Sequence, residues 1–142
     1  MLKKFITEIC KILDISIPIL SFDTSHFSSN TMMGQCNSSG TTIFLRRCDK
    51  LNPDYLFAVA HELRHIWQIR TNNSYYFSNY KTVDVCSSKD EYNLQLAEID
   101  ANAFATLVMI EFFQLKPSFD GLSSKVPSKI QERMEFIIEQ FG

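Results

Sequence analysis

The pentapeptide H-E-L-R-H, which begins at His61, constrains this chain more than any other feature of its sequence. The run before it opens as helices do, with an asparagine that can cap free amide groups and a proline at the first helical position. We therefore predict a helix from about Pro53 to Arg70. Because residues advance by about 100° along a helix, His61 and His65 project from one face, about one turn apart. Two imidazoles in this arrangement can bind a single zinc ion.

Glu62 lies about 100° around the same helix from His61. Its carboxylate can there hydrogen-bond a metal-bound water and act as a general base. A catalytic zinc ion takes three protein ligands and keeps one position open for water or substrate. The sequence must therefore supply a third ligand beyond the two histidines.

A second, largely apolar helix is predicted from about Tyr92 to Leu115, and it is the expected source of this third ligand. The longer motif H-E-x-x-H-x-x-G-x-x-H would place a third histidine on the first helix. That form is excluded, because Gln68 stands at its glycine position and Thr71 at its third histidine position. The third ligand is therefore expected to be a carboxylate.

Two carboxylates on the second helix compete for this role, Glu98 and Asp100. They point about 200° apart, so only one of them can face the metal. Glu98 is preferred because Asn102, one turn later on the same face, can accept the N–H of a ligating histidine. Asp100 stays the alternative. Two neutral histidines and one carboxylate leave a net charge near +1 on the zinc site, which can bring the pKa of a bound water to about 7.

The paired motifs H-E-L-R-H and E-I-D-A-N-A-F-A, in this order, resemble those of the ImmA/IrrE-type zinc metallopeptidases, which are gluzincin-like zincins. The similarity covers roughly residues 41–109. The resemblance implies that zinc is bound by His61, His65 and Glu98. It also implies that Glu62 is the catalytic base.

The sequence departs from this family pattern at two positions. Arg64 stands where many relatives have glycine, and Asn102 stands where the residue that supports the ligands is usually acidic. Neither change removes a predicted ligand or the predicted base.

The composition is typical of one globular domain spanning residues 1–142. The 14 Lys and Arg are balanced by 16 Asp and Glu, without a basic run suited to a phosphate backbone, so no nucleic-acid partner is expected. The four cysteines form no C-x-x-C pair and are typical of reduced thiols. No apolar run is long enough to cross a bilayer, so we expect a cytoplasmic protein that makes no membrane contact.

The hydrophobic periodicity predicts a compact α+β, zincin-like fold. Its small three-stranded sheet is expected to pack on the H-E-x-x-H helix and on the second, ligand-bearing helix. The strands are predicted within residues 18–22, 32–36 and 41–47, and a turn that ends in Gly40 joins the last two. The strand within 41–47 is expected to form the upper edge of a cleft, where an extended peptide could add as a further strand.

Two further helices and one irregular segment complete the prediction. An amphipathic helix covers the first 13 residues, and a closing helix begins near Pro127. Between the two central helices, residues 75–90 are aromatic and polar without a clear period, which indicates a loop.

Taken together, these patterns predict a zinc-dependent endopeptidase in which Glu62 assists the attack of a zinc-bound water on a peptide bond. A protein or peptide substrate is expected, and the resemblance suggests a transcriptional regulator. Two alternatives stay open, a non-proteolytic metal-binding interaction module and a metal hydrolase that acts on a non-peptide amide. The sequence also leaves open whether Tyr75, Tyr76 or Tyr80 stabilises an oxyanion, and whether Cys86 can reach the metal as an inhibitory ligand.

Overall fold

The structure, a computed structural model, describes residues 1–141 and confirms the α+β fold class. Within these residues the chain forms five helices and one three-stranded sheet. The helices are α1 (Leu2–Leu13), α2 (Pro53–Phe77), α3 (Lys89–Asn93), α4 (Leu96–Phe113) and α5 (Lys125–Phe141). The strands are β1 (Ile19–Ser21), β2 (Gly34–Cys36) and β3 (Thr42–Leu45).

The sheet has the order β1-β3-β2, with β1 parallel and β2 antiparallel to β3. The predicted hairpin between β2 and β3 is present, and Gly40 adopts the left-handed conformation that its turn requires, with φ of 69°. The expectation that the strand within 41–47 borders the cleft was wrong. That strand, β3, is central because β1 covers its outer side, and the edge beside α2 is formed by β2.

Helix α2 begins as predicted, where the Asn52 side chain accepts a hydrogen bond from the Tyr55 amide at 2.9 Å. It does not end near Arg70. The chain leaves the helical conformation at Asn72, with φ of −159° and ψ of 66°, and then resumes a helix as far as Phe77. Buried packing of Tyr76 against Trp67, with ring centroids 6.1 Å apart, explains this continuation. Tertiary contact thus outweighs the local tendency of the Asn-Asn-Ser run to end a helix.

The predicted second central helix is divided into α3 and α4. Ser88 caps α3 by accepting a hydrogen bond from the Glu91 amide at 3.0 Å. Between the two helices Gln95 is extended, and its side chain bonds the backbone amide and carbonyl of Lys81 at 2.7 and 2.9 Å. These bonds to the preceding loop fix the break, and α4 therefore begins at Leu96.

Helix α4 lies in the core and packs between α2 and α5, whereas the sheet packs on α2. The alanines at positions 97, 101 and 105 are fully buried, and their small side chains allow α2 and α4 to approach closely. Helix α5 begins two residues before Pro127 and buries an apolar stripe against α4, formed by Val126, Ile130, Met134 and Ile137. None of the helices within residues 1–141 is long and apolar enough to cross a membrane.

Candidate metal centre

The facing surfaces of α2 and α4 bring together His61, His65 and Glu98. The Nε2 atom of His61 lies 3.2 Å from Glu98 Oε1, and the Nε2 atom of His65 lies 2.9 Å from Glu98 Oε2. One ligand atom from each residue lies within 4.8 Å of the other two. Among residues 1–141 this is the only group of three or more potential metal-binding side chains so arranged.

Both histidines direct Nε2 toward Glu98 because a hydrogen bond fixes the Nδ1 atom on the other side of each ring. The Nδ1 atom of His61 lies 2.8 Å from the amide oxygen of Asn102, and Nδ1 of His65 lies 2.8 Å from the amide oxygen of Gln68. Since each amide oxygen can only accept, each Nδ1 carries the proton in these bonds. A neutral imidazole then leaves the lone pair of Nε2 free for a metal ion.

The geometry of this group fits a zinc ion. Ligand atoms placed tetrahedrally at about 2.05 Å from one ion are about 3.3 Å apart. His61 and His65 each approach a different oxygen of Glu98 at about this distance, and one ligand atom from each residue lies within 4.8 Å of the other two, so small side-chain shifts would bring all three to one ion. The donors are two imidazole nitrogens and a carboxylate, a set found in catalytic zinc sites. Glu98 is only 2% exposed, whereas the histidine side chains keep some exposed surface.

Electrostatics favour a charged Glu98 between the imidazoles. Burial would raise the pKa of Glu98, but His65 and His61 outweigh it and hold the pKa well below its usual range. Burial would also lower the pKa of His65, yet the same carboxylate raises it to about 9. The carboxylate is therefore an anion, and the position next to His65 Nε2 favours positive charge, which either a proton or a metal ion can supply.

Glu62 lies beside this group rather than within it. Its Oε2 atom is 3.8 Å from His61 Nε2, and its side chain is 15% exposed, whereas that of Glu98 is 2% exposed. Burial raises the pKa of Glu62, while His65 and His61 oppose this shift. A carboxylate with a raised pKa can exchange a proton nearer neutral pH, which suits a general base and acid.

A cleft of about 520 Å³ opens beside Glu62 and His65. Edge strand β2 forms one wall. A Cβ atom at Gly34 would lie 3.0 Å from Leu45 Cδ2 and 3.3 Å from Glu62 Cγ, so glycine allows the strand to approach the predicted base closely. The opposite wall comes from the end of α2, the following loop and α3, and includes Phe77, Tyr80, Val83 and Tyr92.

Tyr80 is the aromatic residue that reaches the centre. Its hydroxyl donates a hydrogen bond to Glu98 Oε2 at 2.7 Å and lies 3.1 Å from the Tyr92 hydroxyl. Tyr75 is 58% exposed, and Tyr76 bonds Arg133, so neither of these candidates contacts the centre. Burial and the charge of Glu98 raise the pKa of Tyr80, so its phenol stays protonated.

Asp100 lies away from the centre, as its angular offset from Glu98 predicts. It is fully buried and accepts hydrogen bonds from Arg64, Gln68 and Arg133. Burial would raise the pKa of Asp100, but the bonds and charge of Arg64 outweigh this effect and lower it.

The sequence interpretation missed three residues near the centre: Gln68, Tyr92 and Cys36. Gln68 could have been found, because it stands three positions after His65 and so shares its helix face. Cys36 lines the cleft next to Glu62, whereas Cys86 is directed at the Lys81 carbonyl, 3.8 Å away. Burial, Glu62 and Glu98 raise the pKa of Cys36 well above its usual value, so it is a protonated thiol.

Comparison of this chain with protein-family models, curated proteins and solved structures finds no match. The similarity to ImmA/IrrE-type metallopeptidases accordingly rests on the residues of the two motifs and stays a prediction.

Proposed function

We propose that this protein is a zinc-dependent endopeptidase. The observation that supports this most is the position of Glu62, a fourth polar side chain that borders a cleft beside the His61, His65 and Glu98 group. A purely structural zinc site would be closed by four protein ligands. Here three side chains supply the ligand atoms, and a separate carboxylate is available for proton transfer.

The chemistry follows from the roles of these side chains. His61, His65 and Glu98 would hold zinc, which when bound lowers the pKa of water and polarises a carbonyl group. Glu62 accepts a proton from the attacking water while the water oxygen forms a bond to the carbonyl carbon. Glu62 then delivers that proton to the leaving nitrogen as the C–N bond breaks. Water is consumed, and a carboxylic acid and an amine are formed.

The edge of β2 suits an extended peptide substrate. The Arg46 amide bonds the Met33 carbonyl, and the Asn37 amide bonds the Thr42 carbonyl. Because hydrogen bonding alternates along an antiparallel strand, the backbone N–H and C=O groups of Gly34 and Cys36 point away from β3. An unstructured segment could pair with these groups as an added strand, and a flexible region of a regulatory protein is the substrate class that we propose.

Zinc dependence is the first expected result. Purified protein should bind one zinc ion per chain and cleave unstructured peptides, and chelation should abolish cleavage while leaving the helical circular dichroism in place. Glu98→Ala should also lose zinc, because this substitution removes one of the three ligands. Metal analysis, circular dichroism and cleavage of a peptide library measure these effects.

Glu91→Ala is the matched control, because Glu91 lies on α3 and bonds Ser87 rather than the candidate centre. It should bind zinc and cleave like the wild type. Zinc binding by Glu98→Ala with wild-type affinity would contradict the ligand assignment. Zinc binding without cleavage of any peptide would favour the interaction module, and cleavage of small amides alone would favour the non-peptide hydrolase.

We further propose that Tyr80 donates a hydrogen bond to the oxyanion that forms during hydrolysis. Tyr80 lines the cleft, and its hydroxyl donates a hydrogen bond to Glu98, a predicted ligand, so it lies close to where the substrate carbonyl would bind. Tyr80→Phe should lower kcat by about 10²–10³ at saturating zinc, the usual loss when one such donor is removed. Steady-state kinetics of peptide cleavage measures it.

Tyr75→Phe provides the control for this prediction, since Tyr75 is exposed outside the cleft. Its kcat should equal that of the wild type. An unchanged kcat in Tyr80→Phe would show that the phenol only orients Glu98.

A further inference from the structure

A buried polar chain leads from the candidate centre into the core. The Nδ1–H of His65 donates to Gln68 Oε1 at 2.8 Å. The side-chain amide of Gln68 donates in turn to the Ala97 carbonyl at 3.0 Å and to Asp100 Oδ2 at 2.8 Å. Gln68 and Asp100 are both 0% exposed, so no water competes for these bonds.

The partners of Gln68 determine the orientation of its amide group. Both N–H groups of the amide meet atoms of α4 that can only accept, a carbonyl oxygen and a carboxylate oxygen. A flipped amide would place its oxygen against these two acceptors, at a large cost in a buried site. The amide oxygen must therefore face His65, and His65 must present a proton on Nδ1.

Asp100 is itself held in place by two arginines. Arg64 donates to both of its oxygens, at 2.7 and 3.0 Å, and Arg133 of α5 donates at 2.8 Å. Together with the bond from Gln68, these contacts hold the carboxylate of α4 from two other helices, α2 and α5. A hydrogen-bonded path thus connects α5 with the imidazole of His65.

We propose that Gln68 is a positioning residue, anchored by Asp100, that fixes the ring orientation and the Nδ1–H form of His65 for metal binding. This proposal rests on the metal centre proposed above. The division of bonds supports it: both donors of Gln68 bond atoms on α4, and its single acceptor is used by His65. Metal-binding histidines depend on such partners, whose loss typically weakens metal affinity about 10- to 100-fold.

Gln68→Met tests the proposal, because methionine keeps the size of the side chain but can neither accept from His65 nor donate to Asp100. The zinc affinity of this variant should be about 10- to 100-fold lower than that of the wild type. The Nδ1–H proton of His65, observed by NMR in histidine-labelled protein, should also exchange faster with water. Gln68→Asn is the second variant should Gln68→Met not fold, since the shorter amide cannot span from His65 to Asp100, and the same two changes are expected.

Tyr55→Phe is the control for a general loss of stability. It removes another hydrogen bond of α2, the partly buried bond from the Tyr55 hydroxyl to the Arg46 carbonyl, which lies before His61 on the helix and does not involve the centre. It should leave both the zinc affinity and the exchange of the His65 proton unchanged. Wild-type affinity and slow exchange in the Gln68 variants would overturn the positioning role alone. Absence of zinc binding in the wild-type protein would overturn the proposed function and this role with it.

Discussion

Glu62→Gln is expected to abolish peptide hydrolysis while the protein keeps its zinc. The amide has nearly the same size as the carboxylate and can still form hydrogen bonds, but it cannot accept a proton from water. Removal of a general base typically costs about 10²–10⁴ in rate. The loss should reach the upper end of this range or exceed it, because in the proposed mechanism the same group also protonates the leaving nitrogen. Cleavage of a fluorogenic peptide and metal analysis of the same sample measure both quantities.

Glu91→Gln makes the same chemical change at a half-buried position outside the candidate centre and should cleave at the wild-type rate. Glu62→Gln should retain zinc because Glu62 lies 3.8 Å from His61 Nε2 and outside the group of ligand atoms. Cleavage by Glu62→Gln at the wild-type rate would refute the mechanism. Loss of zinc from this variant would instead make Glu62 a ligand.

Asp100→Leu is expected to lower the free energy of unfolding by about 3–5 kcal/mol, the usual cost of removing one partner of a buried ion pair. Arg64 has no exposed surface, so without Asp100 its guanidinium would be buried and unpaired. Arg133 retains some exposure and can turn toward water. Denaturant titration followed by circular dichroism, with a chelator present so that zinc does not contribute, measures the difference.

Asp49→Leu is the matched control, because Asp49 is exposed, and it should change stability by less than about 0.5 kcal/mol. The double variant Arg64→Leu/Asp100→Leu should recover part of the lost stability, since it removes the unpaired charge as well. A single Asp100→Leu variant as stable as Asp49→Leu would show that the two arginines do not need this carboxylate.

The geometry of the candidate centre was largely accessible from the sequence, because helical periodicity is local. Spacing alone predicted that His61 and His65 share one face of α2 and that Glu98 and Asn102 share one face of α4. The structure brings these two faces together. The ligand and base roles of these residues remain predictions that the experiments above test.

Features set by long-range packing were less accessible. The sequence pattern of the hairpin predicts that β2 pairs with β3, but it does not predict that β1 pairs with the other side of β3. The continuation of α2 beyond Asn72 depends on the burial of Tyr76 against Trp67. Tyr80 could not be chosen among its neighbours, since its bond to Glu98 crosses 18 positions of irregular and helical chain.

The candidate metal ligands and much of the cleft wall lie on different parts of the chain, and this separation has an evolutionary consequence. The candidate ligands and base lie on α2 and α4, two long helices packed against each other in the core. Much of one cleft wall comes instead from the chain between them, including Tyr80, Thr82, Val83 and Asp84. Of these, Thr82, Val83 and Asp84 are exposed and irregular, so they can be exchanged without disturbing the core. Substitutions there would let this scaffold acquire new substrate preferences while the proposed hydrolytic chemistry is inherited unchanged.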